Sequence, residues 1–357
     1  MRTSTHYVPI ATRRAHIRAQ LLDDHPPADV ETVVAAVGGV QAQDITAAAM
    51  SVRARSSGLV VADLFRAVWE ERRLVLTWSM RGTRHLHPAA DVAWLLRVFG
   101  PVFGRPGRRA EQLGIAGAPG DRAVLALRDA LAAEGMLTRP QVKERLAAVG
   151  VDVSGQAPVH VLQRAALEGV LCVLPDPHGQ ERYVLLDDWV PSSEVPGREE
   201  ALTLLAARYL RAFGPATVAD FRHWSGLPAA QAELGWAAVA AAVGRPALPD
   251  DATAATRRCP VRLTGGFDTL LLGYADRSLH LAPEHARRVN AGGGLVRPVV
   301  LDDGVVVATW RYYRGATDTV EVMPFQALAR RAQDGIDREV RDIGAFLGRE
   351  PVTWECK

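Results

Sequence analysis

Apolar positions recur at helical intervals through the first two thirds of the chain and give way to β-branched runs in the last third. The clearest stretch is central. DRAVLALRDALAAEG (121–135) places Val124, Leu125, Leu127 and Leu131 as a helical face. LTRPQVKERLAAVG (137–150) offers Thr138 as an N-cap, with Pro140 and Gln141 in the first turn of a second helix. PVHVLQRAALEGV (158–170) makes a third, stopped near Gly169, and LCVLPDPHGQERYVLLDDWV (171–190) supplies two strands around PDPHGQ. Three helices followed by a hairpin describe a winged helix, and residues 118–192 are assigned to one.

The phrase recurs. In residues 198–250 a long helix ends at Gly214, PATVADFRHWSG forms a short one and Pro228 opens another. FGPATVADF there mirrors EGMLTRPQV of the central unit. A weaker copy fills residues 1–100: DVETVVAAVGG, a helix after VQAQD, then VADLFRAVWEERR with LVLTWSM and TRHLHP as wing strands. From about residue 257 the runs CPVRLTGGFDTLLLGY, GGGLVRPVVLDD, GVVVATWRYYRG and DTVEVMPF alternate with glycine-rich turns. They predict a small antiparallel β-barrel over 257–325, closed by an amphipathic C-terminal helix within 326–357. The expected fold is therefore α+β, with three tandem winged-helix units followed by that barrel and helix.

Composition narrows the picture. With 357 residues and 48% apolar content the chain can build real cores. MRTSTHYVPIATRRAHIRAQ lacks the apolar core of a signal peptide, and no apolar run reaches spanning length, so a cytoplasmic location and no membrane partner are expected. Cys172, Cys259 and Cys356 are too scattered for a disulfide framework or a zinc site. A net charge of +2 points only weakly to a nucleic-acid partner, and the scarcity of lysine, Lys143 and Lys357 alone, reads as codon bias. Local clusters matter more: Arg105, Arg108 and Arg109 in RPGRR, and Arg311, Tyr312, Tyr313 and Arg314 in RYYR, are candidate DNA contacts, because they concentrate charge where loops or a hairpin tip are expected.

Candidate chemistry centres on VQAQD. Asp44 is a suitable N-cap for a helix over Ala47–Arg55. Gln41 and Gln43 then lie on the lead-in, where an extended backbone lets residues two apart share a face. One glutamine satisfying a buried backbone group is the plainer alternative. In TWSMRGTRHLHP, the residues Arg81, Thr83 and His85 alternate along an expected strand and offer a wall for the same cleft. His85 and His87 have metal-ligand spacing, but no further ligands complete it. Asp268 in GGFDTLLLGY serves either as a further wall residue or as a cap.

Taken in order, VQAQD, TWSMRGTRHLHPAAD, YLRAFGPATVADFRHWSGL, FDTLLLGYADR and VVVATWRYYRG resemble the AlkZ-like winged-helix DNA glycosylases over nearly the whole chain. The resemblance implies a monofunctional N-glycosyl hydrolase that removes N7-alkylated purines, including bulky genotoxin adducts and crosslinks, for repair or self-resistance. It implies a Gln-hydrophobe-Gln signature, here Gln41-Ala42-Gln43, as the catalytic motif; the residue pattern adds Asp44, Arg81, Thr83, His85 and Asp268 as candidate wall residues beside it. A related branch carries aspartate where Gln43 stands. A hairpin such as that bearing Arg311, Tyr312, Tyr313 and Arg314 is expected against double-stranded DNA. No cofactor and no metal are expected, and a monomer suffices. The chemistry is consistent with carboxamides: N7 alkylation makes the purine a cationic leaving group, so what remains is to hold a water and steady the sugar cation. The competing expectation is a non-enzymatic winged-helix DNA-binding regulator.

Overall fold

The computed structural model describes residues 7–23, 28–176, 178–190, 194–243 and 257–357. Its strands are β1 (Val40–Gln41), β2 (Leu74–Trp78), β3 (Arg84–Pro88), β4 (Leu137–Thr138), β5 (Leu171–Leu174), β6 (Arg182–Leu185), β7 (Arg262–Thr264), β8 (Val299–Asp302), β9 (Val305–Tyr313), β10 (Asp318–Pro324) and β11 (Val352–Cys356). They form two sheets in a mixed α+β chain.

The first sheet has the order β1-β3-β2-β5-β6-β4. Both expected hairpins, β2–β3 and β5–β6, are present, and they join through Leu76 opposite Val173. All five residues of β2 are buried, as befits a strand with neighbours on both sides. The repeated phrase has a physical signature in its caps. Thr138 and Thr217 each accept from the backbone three residues on, and Gln141 and Asp220 return the bond. The helices of the last repeat are Arg198–Phe213, Val218–Ser225 and Ala229–Val243; the expected stretch 244–250 lies outside the described residues. No hairpin follows those helices among the described residues.

The second sheet, β11-β10-β9-β8-β7, is antiparallel except for the parallel β10–β11 pair. Among the described residues no ladder joins β7 to β11, so it is an open sheet where the sequence suggested a closed barrel. The C-terminal helix runs Arg330–Leu347, with Ile336, Val340 and Ile343 on its buried face. Left-handed Gly348 ends it, and the chain returns as β11, a strand within the stretch expected to be helical.

Three links tie the helical part of the chain to its C-terminal part. Arg53, at the end of the helix Ile45–Arg53, donates to Glu339 at 2.9 Å and to Asp342 at 2.5 Å. Arg55, fully buried, pairs with Asp268. Tyr209 donates its hydroxyl to the Gly273 carbonyl at 2.8 Å, while Tyr274 donates to the Phe213 carbonyl at 2.9 Å.

Candidate active site

The segment carrying Gln41 is placed by a reversal that follows the helix Val30–Ala36. Gly38 and Gly39 take φ of 75° and 97°. A Cβ on Gly39 would lie 2.5 Å from the His87 ring, so the turn can press against β3 only as glycine. β1 then pairs with β3, Val40 opposite Leu86 and Gln41 opposite His85. The Ala42 amide donates to the Arg84 carbonyl at 2.8 Å before the chain bends at Gln43. Asp44 caps the next helix directly, accepting from Thr46 N at 2.8 Å and Ala47 N at 3.3 Å. The helix starts at Ile45, two residues earlier than expected, because the cap sets its first turn.

Gln41 opens onto a cleft of ≈ 750 Å³. Arg81 and Thr83 stand on the same wall; His223 comes from the helix Val218–Ser225, and Asp276, Arg277 and Asn290 come from the crossover between β7 and β8. Leu272, Leu281 and Val296 give the opposite side an apolar floor. The cleft is thus built from three parts of the chain that together span more than two hundred residues of sequence, from Gln41 to Val296.

Arg81 departs from the expectation of an alternating strand. It sits in the turn Met80–Gly82 with φ 55°, a left-handed conformation, and β3 begins only at Arg84. From there its Nη1 donates to the Trp224 carbonyl, and its Nη2 donates to Gln41 Oε1 at 2.7 Å. Gly226 makes this reach possible, since a Cβ there would come within 2.9 Å of Arg81 Cγ. Burial, and secondarily the charge of Arg277, bring the Arg81 guanidinium down to about 10, still protonated at neutral pH.

Both carboxamides are oriented by obligatory donors. The atom facing Arg81 must be oxygen, and so must the Gln43 atom that accepts from Arg84 N at 3.2 Å. The donors fix which end of each carboxamide is oxygen, and each oxygen keeps one lone pair beyond the bond shown. Gln41 is 6% exposed and lines the cleft, whereas Gln43 sits exposed in the bend, outside the cleft lining. Of the two glutamines only Gln41 lines the cleft, while the Gln43 carboxamide oxygen is engaged by the backbone at the start of β3.

The remaining expected residues fall into distinct places. Thr83 lines the cleft and donates its hydroxyl to the Met80 carbonyl at 3.0 Å. His85 is buried behind Gln41, with Nδ1 3.1 Å from both Ser79 Oγ and the Thr83 carbonyl. Burial, then the charges of Arg81 and His87, push it well below the ordinary histidine value, so it is neutral at neutral pH. Asp268 is 1% exposed, receives 2.7 and 2.8 Å bonds from Arg55 and caps Leu270 N at 3.0 Å. It is absent from the cleft lining.

Arg105, Arg108 and Arg109 are exposed on and before the short helix Arg108–Gln112, apart from the cleft lining; Arg109 donates to Gln156 at 2.7 Å. Arg311, Tyr312 and Tyr313 end β9, and residues 314–317 form the hairpin tip, with Arg314 exposed. Asp318 ties the hairpin by accepting from Gly315 N at 3.1 Å, from the Tyr312 hydroxyl and from Arg349. His223, Asp276 and Arg277 lie within family-like phrases but were given no role there, and Asn290 was not singled out by the sequence. Each is an ordinary polar residue until the fold brings it opposite Gln41.

Among the described residues no group of three or more histidine, cysteine or acidic side chains could hold a metal ion. No described helix is long and apolar enough to cross a membrane.

Comparison with known proteins bears directly on this cleft. The family model described as DNA glycosylase AlkZ-like matches residues 34–346, a span that includes Gln41, Arg81 and Arg277. The chain is 28% identical to an interstrand DNA cross-link repair glycosylase of Streptomyces sahachiroi, over 94% of this chain and 96% of that protein. Its fold matches the solved structure of the Streptomyces sahachiroi DNA glycosylase AlkZ with a TM-score of 0.78 and 26% identity, covering 98% of this chain and 99% of that one. The chain belongs to the AlkZ-like DNA glycosylase family, and it is a DNA glycosylase.

Proposed function

We propose that this glycosylase hydrolyses the N-glycosidic bond of N7-alkylated purines in duplex DNA, with bulky guanine adducts or crosslinks as the preferred lesions. The carrying observation is Gln41, held in an open cleft by a 2.7 Å bond from Arg81. A cationic N7-alkylpurine leaves without protonation, so the protein's tasks are to place a water at C1′ and to stabilise the sugar cation. Gln41 uses its remaining oxygen lone pair to accept from that water and its NH2 to donate. Gln43 supports from the bend, clasped to Arg84. A contribution of a few kcal/mol from such positioning is worth about 10² to 10³ in rate, sufficient for an activated leaving group.

The cleft volume of ≈ 750 Å³ lies within the range that encloses drug-sized ligands, which favours bulky adducts over a methyl group. Action on crosslinks is supported by the Streptomyces sahachiroi relative, whose name is interstrand DNA cross-link repair glycosylase. The helical repeats are read as winged helices at 1–100, 118–192 and 198–250, followed by a sheet module at 257–325 whose Arg311–Arg314 hairpin meets the backbone of DNA. The enzyme acts as a monomer. A regulator role loses support because side chains that would read bases are spent internally: Gln163 donates to the Gly82 carbonyl at 3.0 Å, and Arg164 pairs with Glu168 at 2.7 Å.

The test is abasic-site formation from duplexes carrying one bulky N7-guanine adduct or N7-methylguanine, scored by alkaline strand cleavage. Parental protein produces the break, and the Gln41→Ala, Gln43→Ala double variant loses at least about 10² in single-turnover rate. Release at the parental rate by a variant that binds the adducted duplex would refute the glutamine mechanism.

A further inference from the structure

Two arginines meet in the cleft without a carboxylate between them. Arg81 donates to the Trp224 carbonyl and to Gln41 Oε1, and Arg277 donates to Asn290 Oδ1 at 3.1 Å. These acceptors are all neutral. Neither guanidinium forms an ion pair among the described residues, whereas other deeply placed arginines do: Arg14 with Asp303, Arg53 with Glu339 and Asp342, Arg55 with Asp268, Arg262 with Glu339.

The local carboxylates are turned elsewhere. Asp276 lines the cleft but accepts from Ser278 N at 2.8 Å, folding back on its own turn. Asp220 accepts from Ala275 N at 3.0 Å and from Thr217. The two cations also feel one another, since Arg277 weakens the hold of Arg81 on its proton, and both Arg277 and Arg81 depress His223 after burial has done so. Both arginines are half-buried in the cleft wall, where holding like charges near one another without a counterion is unfavourable, whereas this fold supplies carboxylates to the arginines it buries, Arg14, Arg53 and Arg55. The missing partner is an anion that arrives with the substrate.

Resting on the glycosylase reading above, we infer that Arg81 and Arg277 form a phosphodiester subsite that grips a DNA backbone phosphate next to the damaged nucleotide and so sets its C1′ beside Gln41. Guanidinium forks match phosphate oxygens, and each of these arginines keeps N–H groups beyond those already engaged. Seating a phosphate also removes one unit of net positive charge from the cleft. The sugar, which becomes cationic as the base leaves, then no longer faces two bare guanidiniums.

The experiment uses the full-length protein and duplexes with one N7-alkylguanine, in which a neutral methylphosphonate replaces one phosphate at a time on either side of the lesion. At one linkage the parental kcat/KM falls about tenfold. Arg277→Gln shows a similar fall on the native duplex, is insensitive to that same linkage, and lowers the slope of log Kd against log salt by about 0.9. Arg277→Lys recovers part of both losses. Parental protein indifferent to every linkage would overturn the subsite, as would Arg277→Gln with the parental salt slope and parental linkage sensitivity. Failure of the glycosylase reading looks different: no base release by parental protein from any N7 adduct, with the Arg277-dependent salt slope intact.

Discussion

Asp268 offers the sharpest test of the structural assignment, since the sequence allowed it a place in the cleft wall and the structure makes it a buried counterion. The perturbation is Asp268→Asn. The side-chain exposures of Arg55 and Asp268 are 0% and 1%, and Asp268 also accepts from Ser51 at 2.9 Å and caps Leu270 N at 3.0 Å. Asparagine keeps the shape and one acceptor but leaves Arg55 as an uncompensated buried charge. Breaking such a pair from one side costs about 3–5 kcal/mol, at least about a fifth of a stability of roughly 5–15 kcal/mol. With a urea slope of roughly 3 kcal/mol/M the midpoint falls by about 1 M or more. Replacing both partners by apolar residues, Arg55→Met with Asp268→Leu, regains much of that loss because no charge is left stranded. Single-turnover base release, measured in the cold where Asp268→Asn remains folded, stays within about threefold of parental. An unchanged urea midpoint would refute the reasoning; a rate loss of about 10² in fully folded protein would return Asp268 to the chemistry.

Arg81→Met removes the donor that orients Gln41; a bond from a charged donor is worth about 1.5–3 kcal/mol, so single-turnover release at saturating enzyme falls about 10- to 100-fold, with partial recovery in Arg81→Lys. Burial holds His87 and His280 at about 3, helped by Arg208 beside His87 and by His16 beside His280. Because the unfolded chain then binds protons that the folded chain does not, stability is full above pH 6.5 and is lost as pH falls toward 3. Each histidine costs about 2 kcal/mol at pH 5, read as a lower urea midpoint at pH 5 than at pH 7; a flat profile contradicts it. Arg314→Ala at the hairpin tip weakens binding of damaged and undamaged duplexes alike and reduces the salt slope by about 0.9, measured by fluorescence anisotropy.

Much of the secondary structure was legible because its causes are local. Thr138 and Thr217 announce their helices through capping boxes that need only four consecutive residues, and the Asp44 cap needs only three. The α+β division was readable from where helical spacing gives way to β-branched runs, and family membership from five phrases in order. Nothing local distinguishes an open sheet from a closed barrel, since closure depends on whether β7 and β11 meet. Nor does it show that Val352–Cys356 returns as a strand beside β10.

The site divides in the same way. Gln41 was visible because two glutamines in a small, apolar stretch answer no local need. Its partner Arg81 was visible as a residue but not as a left-handed turn, because that conformation is stabilised by the Trp224 carbonyl and the close approach of Gly226, about 145 positions away in sequence. Asp268 read equally as a wall residue or a cap until the fold set Arg55 against it and Leu270 N on its carboxylate. Arg277 and His223 lay inside phrases that carried the family resemblance and Asn290 outside them, but none was singled out: an arginine in a loop is unremarked until tertiary packing withholds a carboxylate from it and sets it in the same cleft as Gln41. Local hydrogen bonding and periodicity can be read along one dimension, whereas desolvation and the pairing of charges are properties of three.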